Sequence, residues 1–440
     1  MMKQARLTAH EKLCRRKLRP PNYLIYNILV RFVVKKLIMK NLDVRFNSSI
    51  DMRDYAGPFI VVSNHASRLD YIYTSLPFLP RPVNFVSGYN EFFRSHLAFI
   101  FRLMRVIPKK NFVSDLYTIR SMKHVFEKNG CVILFPEGMS SISGGNQPSA
   151  IASGKVLKHF GLPVVRVKIK GGYFVSTKFD LTERPGRVEV DIDPLFTPGQ
   201  LAALPDDEIQ RLLDEAILQD DYEWNRTARA AYRAKDGIAT GIHTLLYRCP
   251  KCGHEFEMRS SGDEIICLHC GNGAKLTDAY ELIPLSESSI IPRTPRVWYD
   301  EQRRAVCEWI RSEGWELRER VKLGVLPRYG YLKDQKTSEI VGEGELVLND
   351  EGLHYTGTKG GEPWSFSVRP ENLPTYGMCT DITRFYTFAP GEFVEFYPER
   401  ETVAKWFLAT EENHRKHGGK WTDFPDTYEK LRAESYDTPA

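Results

Sequence analysis

Residues 61–70 read VVSNHASRLD, and this stretch decides the class of fold. Its apolar start is typical of a buried strand, its middle is a polar corner, and Asp70 begins a segment of helical periodicity. The loop that follows a strand is where α/β folds place their functional side chains. His65 and Asp70 are therefore the first candidate functional residues.

Predicted strands and helices alternate on both sides of this corner. The predicted strands are Phe59–Ser63, Asn84–Ser87, Val132–Phe135, Val164–Ile169 and Arg187–Ile192, and the predicted helices are Asp70–Leu79, Glu91–Met104, Leu116–Lys128, Ala150–Phe160 and Asp206–Ile217. Such alternation is typical of an α/β domain. We expect a mixed sheet flanked by helices over residues 46–220.

The spacing of His65 and Asp70 suits proton transfer. An imidazole that titrates near neutral pH can take the proton of an attacking hydroxyl group. A carboxylate about one helical turn further along can hold the other ring nitrogen and stabilise the imidazolium. Taken alone, the pair is a weak signal, because Asn64 or Ser67 could simply cap the helix and leave His65 at the surface.

Further motifs in the same order strengthen the signal. Asn64, His65, Ser67 and Asp70 match a motif of the form Asn-His-x-Ser-x-x-Asp, and residues 135–138 read Phe-Pro-Glu-Gly. Residues 104–111 and the apolar, proline-containing stretch 162–165 complete the set. In these motifs the chain resembles the glycerolipid acyltransferase family, which includes the lysophosphatidate acyltransferases.

The resemblance implies roles for the matched residues. His65 would be the general base, with Asp70 as the carboxylate that orients it. Asn64, Ser67, Glu137 and Gly138 would contribute to substrate binding, and backbone amides near Gly138 would meet developing negative charge. The implied donor is acyl-CoA or an acyl group on acyl carrier protein, and the implied acceptor is a lysophosphatidate or another lysophospholipid used in phospholipid synthesis.

The chain departs from the family where arginines are expected to hold the acceptor phosphate. Met139 and Ser140 follow the Phe-Pro-Glu-Gly motif, and Asn111 stands at the end of the second motif. A phosphate must nevertheless be held by cations, since burying it unpaired is costly. We therefore expect phosphate-binding roles for Lys109, Lys110 and Arg166.

The N-terminal segment, residues 1–45, is strongly basic. Residues 1–40 hold eleven lysines and arginines against the single acid Glu11. At helical period, Leu24, Ile28, Phe32 and Leu37 share one side of a helix, which favours a helix lying on anionic lipid. The alternative is an ordinary amphipathic helix packed on its own domain.

The remaining sequence signals concern the cellular compartment in which the protein lies. No uninterrupted apolar run is long enough to span a bilayer, and the N-terminus does not resemble a signal peptide. The eight cysteines lack the layout of a secreted disulfide framework. We expect a cytoplasmic protein that is peripheral on the inner face of the membrane.

Two Cys-x-x-Cys pairs lie in residues 247–278. Cys249 and Cys252 are separated from Cys267 and Cys270 by the fourteen residues 253–266. Two such pairs facing each other make a closed tetrahedral site, so we expect a zinc ribbon with one structural zinc. The alternatives are a redox dithiol or four unliganded thiols.

The rest of the chain divides by composition. Residues 221–246 are charged and weakly patterned and are predicted to be a helical linker region. Residues 292–425 are predicted to form a small β-rich domain, with a hairpin at residues 349–352. The meander and the following helix resemble a pleckstrin-homology or GRAM-like domain.

Two other functional classes fit parts of the sequence. Zinc ribbons and basic arms are common in nucleic-acid-binding proteins. The ribbon insert holds four acids against the single base Arg259, however, so we expect no nucleic-acid partner. A catalytically inactive lipid-binding scaffold is the other alternative, and the intact pair of His65 and Asp70 argues against it.

Overall fold

The computed structural model describes residues 7–147, 152–333, 336–378 and 381–419. Residues 1–6 and 420–425 of the predicted terminal domains lie outside this range, as does the side chain of Leu37. Three sheets organise the described chain: a seven-stranded mixed sheet and two antiparallel sheets of four and six strands. The predicted α/β fold, followed by a cysteine-rich module and a β-rich region, is confirmed.

The first sheet contains the predicted α/β strands. Its members are β1 (Asp43–Ser48), β2 (Ile60–Ser63), β3 (Val83–Gly88), β4 (Ile107–Lys109), β5 (Cys131–Leu134), β6 (Val164–Lys170) and β7 (Arg187–Phe196). Their spatial order is β1-β7-β6-β2-β5-β3-β4. Only β7 and β6 pair antiparallel, and all other neighbours are parallel.

Strand β2 lies at the centre of this sheet, between β5 and β6. Ile60, Val61 and Val62 are fully buried, as expected for a strand covered on both faces. Because β2 is central, the polar corner that follows Ser63 opens at the middle of the sheet edge. The fold therefore places His65 where several strand ends converge.

Helices flank the sheet. They are α1 (Ala9–Cys14), α2 (Tyr23–Ile28), α3 (Asp70–Ser75), α4 (Ser95–Leu103), α5 (Leu116–Phe126), α6 (Ser153–Phe160), α7 (Gly172–Val175), α8 (Pro198–Ala203), α9 (Asp206–Ile217) and α10 (Asp221–Ala228). Helix α2 continues as a π-helix over Leu29–Ile38. Short 3-10 turns cover Met39–Asn41, Met52–Tyr55, Leu76–Phe78, Tyr89–Phe93 and Ile242–Thr244.

Helix α9 shows why the helical predictions succeed. Ile209, Leu213 and Ile217 recur every four residues and are all buried. Acidic side chains fill the first turn, where they interact favourably with the helix dipole. The helix has the bounds that the sequence predicts.

The two remaining sheets follow in chain order. The four-stranded sheet contains β8 (Met258–Ser261), β9 (Glu264–Cys267), β10 (Gly273–Leu276) and β11 (Leu282–Pro284). Helix α11 (Pro295–Trp309) precedes the six-stranded sheet, which contains β12 (Leu317–Val325), β13 (Glu339–Asn349), β14 (Gly352–Lys359), β15 (Glu362–Val368), β16 (Phe385–Thr387) and β17 (Val394–Pro398). A 3-10 turn at Pro370–Asn372 follows β15. The last helix of the described residues is α12 (Val403–Lys416). The predicted hairpin is confirmed, since Asn349 pairs with Gly352.

The predicted linker region, residues 221–246, is packed against its neighbours. Helix α10 occupies its start, and Tyr222, Tyr232 and Leu246 are buried. Asn225 donates to the carbonyl oxygens of Ala230 and Ala279 at 3.0 and 2.9 Å. These contacts join α10 to the turn between β10 and β11.

Candidate active site

His65 and Asp70 meet at the corner after β2. The Nδ1 atom of His65 lies 2.8 Å from the Oδ2 atom of Asp70. The Asp70 side chain is 1% exposed, whereas that of His65 is 22% exposed. The pair therefore has a buried carboxylate and an imidazole that reaches the surface of a cavity.

Ser67 fixes the Asp70 carboxylate. Its backbone amide donates to Oδ1 and Oδ2 at 3.0 and 3.1 Å, and its hydroxyl donates to Oδ1 at 3.2 Å. Burial raises the pKa of Asp70, while the hydrogen bonds from His65 and Ser67 oppose that shift. Ser67 is thus occupied in orienting Asp70 and is itself buried.

This arrangement defines which nitrogen of His65 can act as a base. A carboxylate accepts hydrogen bonds, so Nδ1 is the atom of His65 that carries the proton. The lone pair of Nε2 is then available to take a proton from a group in the cavity. The ring is held flat against Phe135, with 4.4 Å between the ring centroids.

Glu137 ties the Phe-Pro-Glu-Gly turn to the same corner. Its Oε1 atom accepts hydrogen bonds from the His65 amide at 2.7 Å and from the Asn146 side chain at 2.9 Å. Its Oε2 atom accepts from the Gln147 amide at 2.7 Å. Burial raises the pKa of Glu137 to about 8, and these three donors oppose the shift. The geometry makes Glu137 a positioning residue whose carboxylate faces the protein.

Gly138 shapes the end of that turn. Its φ angle is +69°, a left-handed conformation that favours glycine. Its amide donates to the Phe135 carbonyl at 3.0 Å, so this N–H already has a partner within the turn. Its carbonyl accepts from the Asn111 side chain at 3.0 Å.

Asn64 also faces the protein. Its side-chain amide donates to the Ile169 carbonyl and its Oδ1 atom accepts from the Ile169 amide, both at 2.8 Å. These two hydrogen bonds fix the corner to the neighbouring strand β6. Asn64 is buried, and its hydrogen bonds to Ile169 hold the backbone next to His65 in place.

His65 and Asp70 line a cavity of about 1590 Å³. Pockets for drug-sized ligands measure roughly 300–1,000 Å³, so this one has room for more than one small substrate. Apolar side chains of the π-helix, α4 and α5 contribute to its wall, among them Leu29, Val33, Ile100 and Ile119. Such a wall suits a fatty acyl chain.

The structure separates the three predicted phosphate-binding cations. Lys109 lines the cavity, and burial lowers its pKa, opposed by the nearby Asp115 carboxylate. Lys110 instead places its Nζ atom 5.6 Å from the centre of the Tyr89 ring. Arg166 is paired with Asp193 on β7, and neither it nor Lys110 is among the lining residues.

Among the described residues, the cavity wall contains four cations that the sequence motifs did not identify. Arg68, Arg94, Lys178 and Arg384 are lining residues. Arg94 is paired with Glu91 at 3.0 Å, and Glu91 is held mostly out of water. Arg68 lies between His65 and Asp70 in the sequence motif. Its position in that motif could therefore have identified it as a lining residue.

The four paired cysteines form a second site. The Sγ atoms of Cys249 and Cys270 are 3.7 Å apart, and those of Cys252 and Cys267 are 3.8 Å apart. All four sulfur atoms lie within 4.8 Å of one another. When four thiolates bind zinc tetrahedrally, with zinc–sulfur distances of about 2.3 Å, their sulfur atoms lie at such separations from one another. The residues therefore fit a structural zinc ion.

The N-terminal helix presents two different sides. Tyr26, Val30 and Val34 are buried against the domain. Leu24, Ile28 and Phe32, on the predicted apolar side, are 65%, 56% and 54% exposed. Among the described residues, we found no helix with the length and apolar character needed to cross a bilayer.

Comparison with known proteins finds a family to which part of the chain is similar. Residues 41–170 match the family model described as Acyltransferase. The chain is similar to the crystal structure of the 1-acyl-sn-glycerophosphate (LPA) acyltransferase PlsC from Thermotoga maritima, with 21% identity, a TM-score of 0.35, and coverage of 47% of this chain and 79% of that chain. No curated protein matches the chain. The match to the Acyltransferase family model therefore covers the part of the chain that contains β2 and the corner with His65 and Asp70.

Proposed function

We propose that this protein transfers a fatty acyl group from a thioester, acyl-CoA or acyl carrier protein, to the hydroxyl of a lysophosphatidate or related lysophospholipid. The observation that carries the proposal is the pair of His65 and Asp70 at the wall of a large, partly apolar cavity. The match of residues 41–170 to acyltransferases supports the same class of reaction.

The pair accounts for each proton in the reaction. Nε2 of His65 takes the proton of the acceptor hydroxyl while its oxygen attacks the thioester carbonyl carbon. The tetrahedral intermediate then collapses, the carbon–sulfur bond breaks, and the proton on Nε2 passes to the leaving thiolate. Asp70 stabilises the imidazolium in between. The products are the ester and a thiol.

The polar groups of the cavity suit the acceptor. Lys109 is the predicted phosphate-binding residue that the structure brings to the cavity wall. Its partly buried ammonium gains more from a phosphate than an exposed one would, because fewer water molecules compete. We assign it as the phosphate ligand, with Arg68 as a second candidate.

The exposed side of the N-terminal helix supports a membrane partner. Leu24, Ile28 and Phe32 leave a large apolar surface in water, while Arg31 and Lys35 are exposed nearby. An amphipathic helix with this character lies in the interface of an anionic bilayer. The neighbouring residues Leu29 and Val33 line the cavity, so the membrane would adjoin its entrance.

The cysteine site has a structural role in this proposal. Four thiolates complete the tetrahedral shell of zinc and leave no position for a substrate. Glu255 of the cysteine-rich module pairs with Lys405 of α12 at 2.5 Å. Zinc would thereby fix the module against the C-terminal region.

The decisive experiment is an acyl-transfer assay with purified full-length protein. Labelled acyl-CoA or acyl carrier protein is incubated with lysophosphatidate, other lysophospholipids and a neutral monoacylglycerol, and the lipids are separated. We expect labelled phospholipid from the wild type and a roughly 10²–10⁴-fold lower rate from His65→Ala. His124→Ala, on an exposed position of α5, is the control. Equal rates for folded His65→Ala and wild type would overturn the assignment.

A further inference from the structure

The C-terminal β-rich region is docked directly onto the acyltransferase domain. The amide of Leu332 donates to the Phe93 carbonyl at 2.7 Å, and the Ser95 amide donates to the Leu332 carbonyl at 2.9 Å. The Ala9 amide donates to the Arg328 carbonyl at 3.1 Å. Backbone hydrogen bonds of this kind fix the position of one region against the other.

This docking brings C-terminal side chains to the catalytic cavity. Met378, Asp381, Arg384 and Tyr386 line the same cavity as His65. Arg384 is held by Asp381 at 3.1 Å, so the charges on this wall are already oriented. The cavity is thus enclosed by two regions of the chain that lie far apart in sequence.

Asn111 connects the two walls. Its side-chain amide donates to the Gly138 carbonyl at 3.0 Å and to the Tyr386 hydroxyl at 3.2 Å. The preceding residue, Lys110, lies 5.9 Å from the centre of the Phe388 ring, beyond the end of β16. Both residues that follow β4 therefore contact the C-terminal sheet.

The contact is close to the reacting groups. Gly138 ends the turn that begins at Phe135, and Phe135 stacks on the His65 ring. In a glycerol-based acceptor, only the three-carbon glycerol unit separates the reacting hydroxyl from the polar headgroup. A hydroxyl placed at His65 therefore leaves its headgroup near this turn, beside Asn111 and Tyr386.

We propose that the C-terminal region completes the headgroup site of the acceptor and sets acceptor selectivity, with Tyr386 as a positioning residue that acts through Asn111. This inference rests on the proposed acyl-transfer function. It assigns the lysophospholipid headgroup, and not the acyl chain, to the cavity wall shared by the two regions.

Tyr386→Phe tests the inference, because it removes one hydroxyl and keeps the ring. A neutral hydrogen bond contributes about 0.5–1.5 kcal/mol, so we expect the acceptor KM to rise roughly 2- to 12-fold. The donor KM and kcat should stay within about twofold, and the order of preference among lysophospholipids should change. Tyr355→Phe is the matched control, since its hydroxyl donates to the Thr358 carbonyl at 3.1 Å within the same sheet.

Asn111→Ala tests the same contact from the other side. Combined with Tyr386→Phe, it should give less than the product of the two single effects, because both changes break one connection. Thermal melting of each variant identifies any loss of fold. If either variant is unstable, the other alone decides the question.

Three outcomes can be told apart. A changed acceptor KM and changed lysophospholipid preference in Tyr386→Phe supports the inference. Unchanged values, or a shift in donor KM instead, overturns it while leaving acyl transfer established. Absence of transfer to every lysophospholipid by wild-type protein overturns the proposed function, and the inference with it.

Discussion

The backbone amide of His65 donates a hydrogen bond to the Oε1 atom of Glu137 over 2.7 Å. The corner after β2 and the turn after β5 are therefore joined by a single buried carboxylate. Asn146 and Gln147 complete its partners, so the loop after the turn is held as well. The position of His65 therefore depends on a side chain whose carboxylate accepts hydrogen bonds from three protein donors.

Glu137→Gln tests this positioning role. A glutamine can keep one acceptor oxygen, but its NH2 group faces the Gln147 amide, which is also a donor. The unpaired donors should lower the free energy of unfolding by roughly 1–3 kcal/mol. We expect kcat to fall with little change in acceptor KM, as measured by steady-state kinetics and thermal melting.

Exposed Glu127 offers the control for this change. Glu127→Gln, at the end of α5, should alter neither stability nor kcat by more than a small amount. A Glu137→Gln variant with raised acceptor KM and normal kcat would instead indicate direct substrate contact.

Asp70→Asn should abolish most activity without unfolding the protein. The change keeps the shape of the side chain but allows it to donate to Nδ1, which places the imidazole proton on Nε2 and removes the base. We expect kcat to fall roughly 10²–10⁴-fold. Asp54→Asn, at an exposed position, serves as the control in the same assay. Near-normal kcat in folded Asp70→Asn would show that Asp70 does not set the tautomer.

Lys109→Ala and Arg166→Ala should behave differently. Lys109 lines the cavity, so losing a charge-assisted bond to phosphate should raise the acceptor KM roughly tenfold or more. Arg166 is already paired with Asp193, so its loss should leave the acceptor KM nearly unchanged. The KM of both variants is measured for lysophosphatidate and for a neutral monoacylglycerol. This comparison distinguishes a loss of phosphate binding from a general loss of activity. Equal effects on the two acceptors would contradict the assignment of Lys109.

One zinc ion per chain should be found by elemental analysis of protein purified without chelators. Cys270→Ser should reduce the zinc content and lower the melting temperature, because metal binding and local folding are coupled. Cys14→Ser, on α1 and far in sequence from the site, should change neither value. A zinc ratio near zero in the wild type would favour unliganded thiols.

Binding to anionic vesicles should depend on the exposed side of the N-terminal helix. The double variant Ile28→Ser/Phe32→Ser removes two apolar side chains, each of which contributes roughly 1.5–3 kcal/mol when buried in lipid. We expect less protein to sediment with vesicles, and we expect salt to weaken the remaining binding. Ile340→Ser, which is also exposed but lies on β13, is the control. Unchanged sedimentation of the double variant would make the helix an ordinary part of its domain.

The sequence predicted the central strand β2 and missed the edge strand β1. Strand β2 is a continuous apolar run because both faces are covered. Strand β1 reads DVRFNS and is mostly exposed, so it has no apolar pattern. Its structure depends on pairing with β7 in a fixed register, which no local pattern records.

Helix α11 was missed for a related reason. Its charged sequence looks solvent-exposed, yet Arg303 is buried and pairs with Glu411 and Glu412 on α12. The same pairs hold the C-terminal half of α12, which continues to Lys416. Charge pairing between elements distant in sequence cannot be predicted from the composition of either one.

The residues of the candidate site also divide into those that a short motif identifies and those whose contacts depend on distant parts of the chain. His65 and Asp70 are five residues apart, so a short motif identifies both. The contacts of Glu137 and the cross-strand pairing of Arg166 with Asp193 depend on how separate strands align. The position of Tyr386 at the cavity wall depends on docking between regions, which no short motif predicts.

The backbone bonds from Leu332 to Phe93 and Ser95 also constrain how the protein is made. Synthesis proceeds from the N-terminus, so His65 and Asp70 leave the ribosome long before the C-terminal segment that completes their cavity. Until Leu332 arrives, the stretch around Phe93 lacks these backbone partners, and the cavity lacks its C-terminal wall. A nascent chain therefore exposes apolar surface for most of its translation, which makes premature termination or slow elongation a route to aggregation.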